Sequence, residues 1–137
     1  MASEHRFSID PVAGLVVERF AGRLSLRELM AGGQEINGHP DFRMGYRYLV
    51  DLRAATVTLA GPDVRTLADF IGKTDAGARV AVVVGRSLEF GVARMLAALA
   101  EGHAVEALHA FWKVEEACGW LGIDGAVLHG IPWWPAE

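Results

Sequence analysis

Chemistry in a chain begins with residue types at particular spacings, and here few spacings qualify. Gly72-Lys73-Thr74 has the ending of a phosphate loop. The full pattern needs a glycine five residues before that Gly-Lys pair, and position 67 is Leu67. The segment also closes a helical pattern, where the dipole repels phosphate. The five histidines, His5, His39, His103, His109 and His129, never pair at the i, i+4 spacing of a helical metal site. No metal is expected; His109, in an otherwise apolar strand, reads as a satisfied, half-buried imidazole. Cys118 falls on an apolar helical stripe with no adjacent cation to lower its pKa, so it reads as an inert core thiol. No serine lies in a Gly-x-Ser-x-Gly elbow. Ser25 and Ser87 read as helix caps, and Glu115-Glu116 as a solvated helix face. Neither a catalytic residue nor a cofactor is expected, and the chain reads as a non-enzyme.

Two features remain as candidate binding sites. Asp51-Leu52-Arg53 and Gly85-Arg86-Ser87 read as the carboxyl ends of parallel strands, where ligands gather beside helix N-termini. Arg53, Arg86 and Ser87 could hold an anion or an acidic partner there; a plain ion pair with Asp51 is the favoured reading. The second feature is aromatic. On a helical wheel Phe70 lies about 100° from its stripe, Phe90 roughly opposite its own stripe beside Arg94, and Trp120 off its stripe. Together with Trp133 and Trp134, these rings predict at least one apolar interface.

The elements that must position these groups follow from periodicity and punctuation. His5–Ile9 and Leu15–Phe20 flank the turn residues Asp10-Pro11-Val12-Ala13-Gly14, which predicts a hairpin. Ser25-Leu26-Arg27-Glu28 is a capping box that opens a helix ending at Asn37-Gly38, with a left-handed stop expected at that pair. Gly32-Gly33 costs such a helix about 1 kcal/mol per glycine, so either the helix is short or it packs very closely on something. Tyr46–Leu52 reads as a central strand ending at the charged Asp51-Leu52-Arg53. Gly61-Pro62-Asp63 opens a helix with the stripe Val64, Leu67, Ala68 and Ile71. Arg79–Val84 is an aliphatic run suited to a strand covered on both faces. Ser87 is expected to cap a helix with core stripe Leu88, Val92, Met95, Leu96 and Leu99, ending at Glu101-Gly102-His103. Val105–Phe111 is the last strand, and Lys113–Leu121 the last helix, closed by Gly122. Residues 123–137 read as an apolar, loop-like tail.

The order β-β-α-β-α-β-α-β-α predicts an α/β fold: an N-terminal antiparallel hairpin continued by crossover units in a largely parallel sheet. One domain over residues 1–122 plus the tail fits 137 residues.

Five blocks in this order resemble the SpoIIAA-like branch of the STAS fold, a group of small bacterial proteins also classed with CRAL-TRIO lipid-binding domains. They are Tyr48-Leu49-Val50-Asp51-Leu52-Arg53, Gly61-Pro62-Asp63-Val64-Arg65, Val80-Ala81-Val82-Val83-Val84, Phe90-Gly91-Val92-Ala93-Arg94-Met95 and Glu116-Ala117-Cys118-Gly119-Trp120-Leu121-Gly122. The resemblance implies a mixed sheet flanked by helices and a non-enzymatic regulatory or binding role. One element of the wider fold is missing. Anti-sigma-factor antagonists carry an Asp-Ser-x-Gly segment whose serine is phosphorylated; here the region reads Leu52-Arg53-Ala54-Ala55-Thr56-Val57, so no phosphoserine switch is carried over.

Composition narrows the partner classes. Lys+Arg 13 against Asp+Glu 17 gives a formal charge of −4, too little basic surface for a general nucleic-acid binder. That excess lies wholly in residues 80–137. Hydrophobic residues at 52% suffice for a core, while the longest aliphatic run, Val80–Val84, falls far short of the ~20 residues of a membrane span. With no signal-peptide pattern at the start, the expected setting is cytoplasmic. The expected partners are a protein or a second copy of the chain, acting through Phe70, Phe90, Arg94, Trp120, Arg53, Arg86 and Ser87. The alternative is a lipid or other apolar small molecule, with peripheral membrane contact, in a cavity of ~300 Å³ or more between helices and sheet.

Overall fold

The computed structural model describes residues 3–100 and 107–135. Among these, five strands form one sheet: β1 (Glu4–Asp10), β2 (Leu15–Leu24), β3 (Arg47–Val57), β4 (Arg79–Val83) and β5 (Ala107–Phe111), in spatial order β1-β2-β3-β4-β5. β1 pairs antiparallel with β2 and the other pairs are parallel. The helices are α1 (Leu26–Asn37), α2 (Gly61–Thr74), α3 (Ser87–Ala100) and α4 (Val114–Leu121), followed by a short 3-10 turn at Gly125–Gly130. This is the expected element order. Val105 and the expected helix end at Glu101-Gly102-His103 lie outside the described residues.

The topology explains the layers. Each parallel crossover steps one strand further in the same direction. With right-handed connections, α1, α2 and α3 must then fall on one face. That face holds the larger core, built on Val16, Phe20, Tyr48, Val50, Val80 and Val82. The opposite face is left for whatever follows β5. There α4 supplies Val114, Ala117, Cys118 and Leu121 against Leu15, Val17, Leu49, Ala81 and Val83. The stretch after Gly122 completes this layer rather than remaining a loop: Leu128 and Trp134 are buried in it. β4, with a core on each side, is fully apolar after Arg79, as a doubly covered strand requires.

Helix ends follow the sequence with two changes. Glu28 accepts from the Ser25 backbone N–H at 3.0 Å, and Asp63 does the same for Ala60 at 3.0 Å. Gly122 closes α4 in the left-handed conformation at φ +73°, as expected. Gly38 closes α1 in the right-handed region instead, at φ −83°. Ser87 is not the cap of α3; it is its first helical residue, and the Arg86 carbonyl accepts the first helical bond from Phe90.

Gly32 and Gly33 are resolved in favour of close packing. A Cβ on Gly32 would lie 2.8 Å from the Phe20 ring, and one on Gly33 2.6 Å from the Phe70 ring. α1 therefore runs through both glycines because no larger residue fits between it and those rings.

Three further expectations fail, each for a physical reason. β2 and β3 run longer than expected, because their pairing resumes after an irregularity between Arg19 and Ala21 and continues to Leu24 opposite Val57. Asp51-Leu52-Arg53 is therefore within a strand, not at its end. α3 is rotated relative to the expected stripe. It buries Glu89, Ala93, Leu96 and Ala100, while Leu88 and Met95 stand 57% and 49% exposed. The cause is Glu89, which accepts from the buried Val57 N–H at 3.0 Å and so holds its own face inward; Ala93 and Ala100 then allow a close approach. Lastly, His109 is exposed at the free edge strand and tilts against Phe111 and Trp120 rather than being enclosed.

Candidate functional site

The crossovers leave a cavity of about 100 Å³ between α1, α2 and α3 and the inner face of the sheet. Its wall is apolar over most of its surface: Leu67, Phe70 and Ile71 come from α2, Val92, Ala93 and Leu96 from α3, and Val50, Val80 and Val82 from the strands. Phe70, lying on Gly33, forms the part of the wall where α1 meets α2. The volume falls short of the ~300 Å³ expected for a lipid carrier and matches a guest of roughly one ring.

Four polar residues interrupt this wall, and strand parity explains two of them. Glu18 sits between Val16 and Phe20 on the inward row of β2, and Tyr48 is the first inward residue of β3. Glu18 is buried, and its Oε2 lies 2.7 Å from His5 Nε2 on β1. Asp75 caps the end of α2, is only 9% exposed, and faces the hydroxyls of Tyr48 and of Thr74, the latter donating to the Phe70 carbonyl at 2.9 Å. Burial pushes its carboxyl up to about 7, the nearby Glu18 charge adds to the rise, and the two neighbouring hydroxyls only partly offset it. Burial likewise holds the Tyr48 phenol well above its ordinary range, so it stays a protonated donor. Glu89, 1% exposed, lies on the α3 wall. Arg86 donates to it at 2.8 and 2.9 Å, and these bonds hold its carboxyl below the ordinary value.

The residues singled out from sequence lie in separate places. Phe70 lines the cavity. Phe90 is not opposite the core; it is half-buried and stacks on Trp112 at 4.8 Å. Arg94 is exposed on the outer side of α3. Trp120 is half-buried on the other face of the sheet, under the Arg79 guanidinium at 4.1 Å. Arg53 donates to buried Asp51 at 3.0 and 3.1 Å and lies over Trp134 at 5.7 Å. Arg86 serves Glu89, and Ser87 is exposed beside it. Arg53 and Arg86 thus belong to two separate ion pairs and do not converge on one point. Glu18 and Asp75 were missed by sequence reasoning. Glu18 had a signal, an acid on an apolar row; Asp75 had none.

Among the described residues no group of three His, Cys, Asp or Glu side chains is placed to hold a metal ion, and no helix is long and apolar enough to cross a membrane. The lining residues of the cavity include no serine, cysteine, lysine or histidine.

No protein-family model matches the sequence, and no curated protein matches it. Solved structures do. One is an uncharacterised protein of the DUF3478 family with a SpoIIAA-like fold from Shewanella loihica PV-4. It shares 17% identity with this chain at a TM-score of 0.57, over 88% of this chain and 96% of that one. At that identity the likeness establishes the fold, which is SpoIIAA-like.

Proposed function

We propose that this chain is a non-catalytic binding module that takes a small, largely apolar molecule into the cavity between α1–α3 and the sheet. The observation that carries the reading is the cavity itself: an apolar space of about 100 Å³ under three helices, with its polar groups gathered at a few wall positions. Apolar walls supply affinity and a few fixed polar groups supply orientation. A lining without serine, cysteine, lysine or histidine offers no Ser–His or Cys–His pair and no Schiff-base lysine. The test is thermal unfolding of the full chain with toluene as probe. At ten times its Kd, toluene stabilises the fold by about 1.4 kcal/mol, a rise of several degrees in Tm. The rise disappears in Ala93→Leu, which fills the wall. An unchanged Tm for the wild-type chain contradicts the reading.

A second reading, self-association, draws on the outer face of α3. Leu88, Met95 and, just beyond β5, Trp112 are 57%, 49% and 48% exposed, and Arg94 is the only charged residue of α3 outside the buried Glu89. The fitting occupant is a second copy. Antiparallel pairing of α3 with its copy in one register sets Gly91 against Met95 and Ala98 against Leu88, small against large in both pairs. Sedimentation of Leu88→Glu with Met95→Lys tests it: a dimer that becomes a monomer supports the reading, and a wild-type monomer at all concentrations removes it.

A further inference from the structure

We infer that the occupant of the cavity is a ring-sized amine, held as its ammonium with Asp75 as counter-ion. The inference rests on the binding reading above and names the chemistry of its ligand. Three charged side chains line the cavity, and all three are acids: Glu18, Asp75 and Glu89. Two of them already have a basic partner. Glu89 is held by Arg86 and by the Val57 N–H, and Glu18 is paired with His5. Asp75 faces only the neutral hydroxyls of Tyr48 and Thr74, with Glu18 as its nearest charge. Buried acids without a cation are costly, and the cost is removed by a ligand that brings one.

The same wall rejects the other common head groups. A carboxylate or phosphate would meet acids at Glu18, Asp75 and Glu89 and find no lysine, arginine or histidine among the lining residues. The Tyr48 hydroxyl, a neutral donor, faces Asp75. A pure hydrocarbon fills the volume and leaves Asp75 as it was. An ammonium finds acceptors from two elements, Asp75 at the end of α2 and Glu18 on β2, both buried. The raised Asp75 pKa fits this assignment: near pH 7 part of the empty population holds a proton that an ammonium displaces, so binding there releases protons to solvent. The groups that face Asp75 in this exchange are Tyr48 of β3, Glu18 of β2 with His5 of β1 behind it, and Thr74 beside it.

Three probes of one ring size separate the possibilities: benzylamine, benzyl alcohol and benzoate, titrated into the full chain at pH 7.5 and followed by amide chemical shifts. Benzylamine is expected to shift the amides of Leu67, Val82 and Ala93 with at least tenfold higher affinity than benzyl alcohol, and benzoate to leave them unmoved. Asp75→Asn lowers the benzylamine affinity about tenfold, while Lys73→Ala, exposed two residues before it, leaves it unchanged. Benzoate binding as tightly as benzylamine, or benzylamine binding no better than the alcohol, overturns the inference and leaves the binding reading standing. If none of the three shifts the cavity amides, the binding reading fails and the inference with it.

Discussion

Replacing Asp75 with asparagine should make the protein more stable, by a margin that opens above about pH 4 and is full above about pH 7. In the folded chain this carboxyl is held near pH 7 by burial; in the unfolded chain it returns to about 3.8. Between those values the folded state holds the extra proton, so stability falls as pH rises. The contribution is complete below about pH 4, declines by up to ~1.4 kcal/mol per pH unit, and is gone above about pH 7. The whole difference is about 4 kcal/mol as an upper figure, since Asp75 is 91% buried and little screened by solvent. Asparagine keeps an oxygen to accept from Tyr48 but cannot ionise. Urea unfolding followed by tryptophan fluorescence, at steps from pH 4 to 8, measures the effect directly. Asp75→Asn should match the wild type near pH 4 and exceed it by about 2–4 kcal/mol at pH 8, with a flatter profile between. A variant equal to or weaker than wild type at pH 8, with an unchanged slope, refutes the placement of an unpaired acid in an apolar wall.

Other expectations concern the frame around the cavity. Gly32→Ala should destabilise by about 1–3 kcal/mol in urea unfolding, because its Cβ meets the fully enclosed Phe20 ring. Gly33→Ala should cost less, because the half-buried Phe70 can swing outward, and it should speed ligand exchange measured by line broadening. Glu89→Ala strips the buried Val57 N–H of its acceptor and should cost roughly 1–3 kcal/mol, with faster hydrogen exchange at that amide. Trp134→Ala should cost about 3–5 kcal/mol if residues after Gly122 are part of the second core; a cost under ~1 kcal/mol would show that they are dispensable.

The order of elements was legible because each carries its own signal. The Asp10–Gly14 turn, the Glu28 and Asp63 caps and the unalternating β4 all act within a few residues of themselves. The Gly32-Gly33 pair also stated its two possible meanings in advance, and the Phe20 and Phe70 rings decide between them. What escaped is what depends on distant partners. α3 offers apolar residues on nearly every side, so periodicity alone chose the face of Leu88 and Met95. The inward face is set by Glu89, whose acceptor role toward Val57 is 32 residues away in sequence. The same holds for the site. Glu18 was readable as an acid on the Val16–Phe20 row. Asp75 was not, because nothing near it in sequence says that Tyr48 and Glu18 will close over the end of α2.

A crystal of the full chain held under xenon pressure asks the most direct question of the fold. Xenon seeks apolar space of about this size, and the account predicts a peak among Leu67, Val82, Ala93 and Leu96, under the three helices. A core with no xenon there, its space closed by side chains or occupied by ordered water, would contradict it.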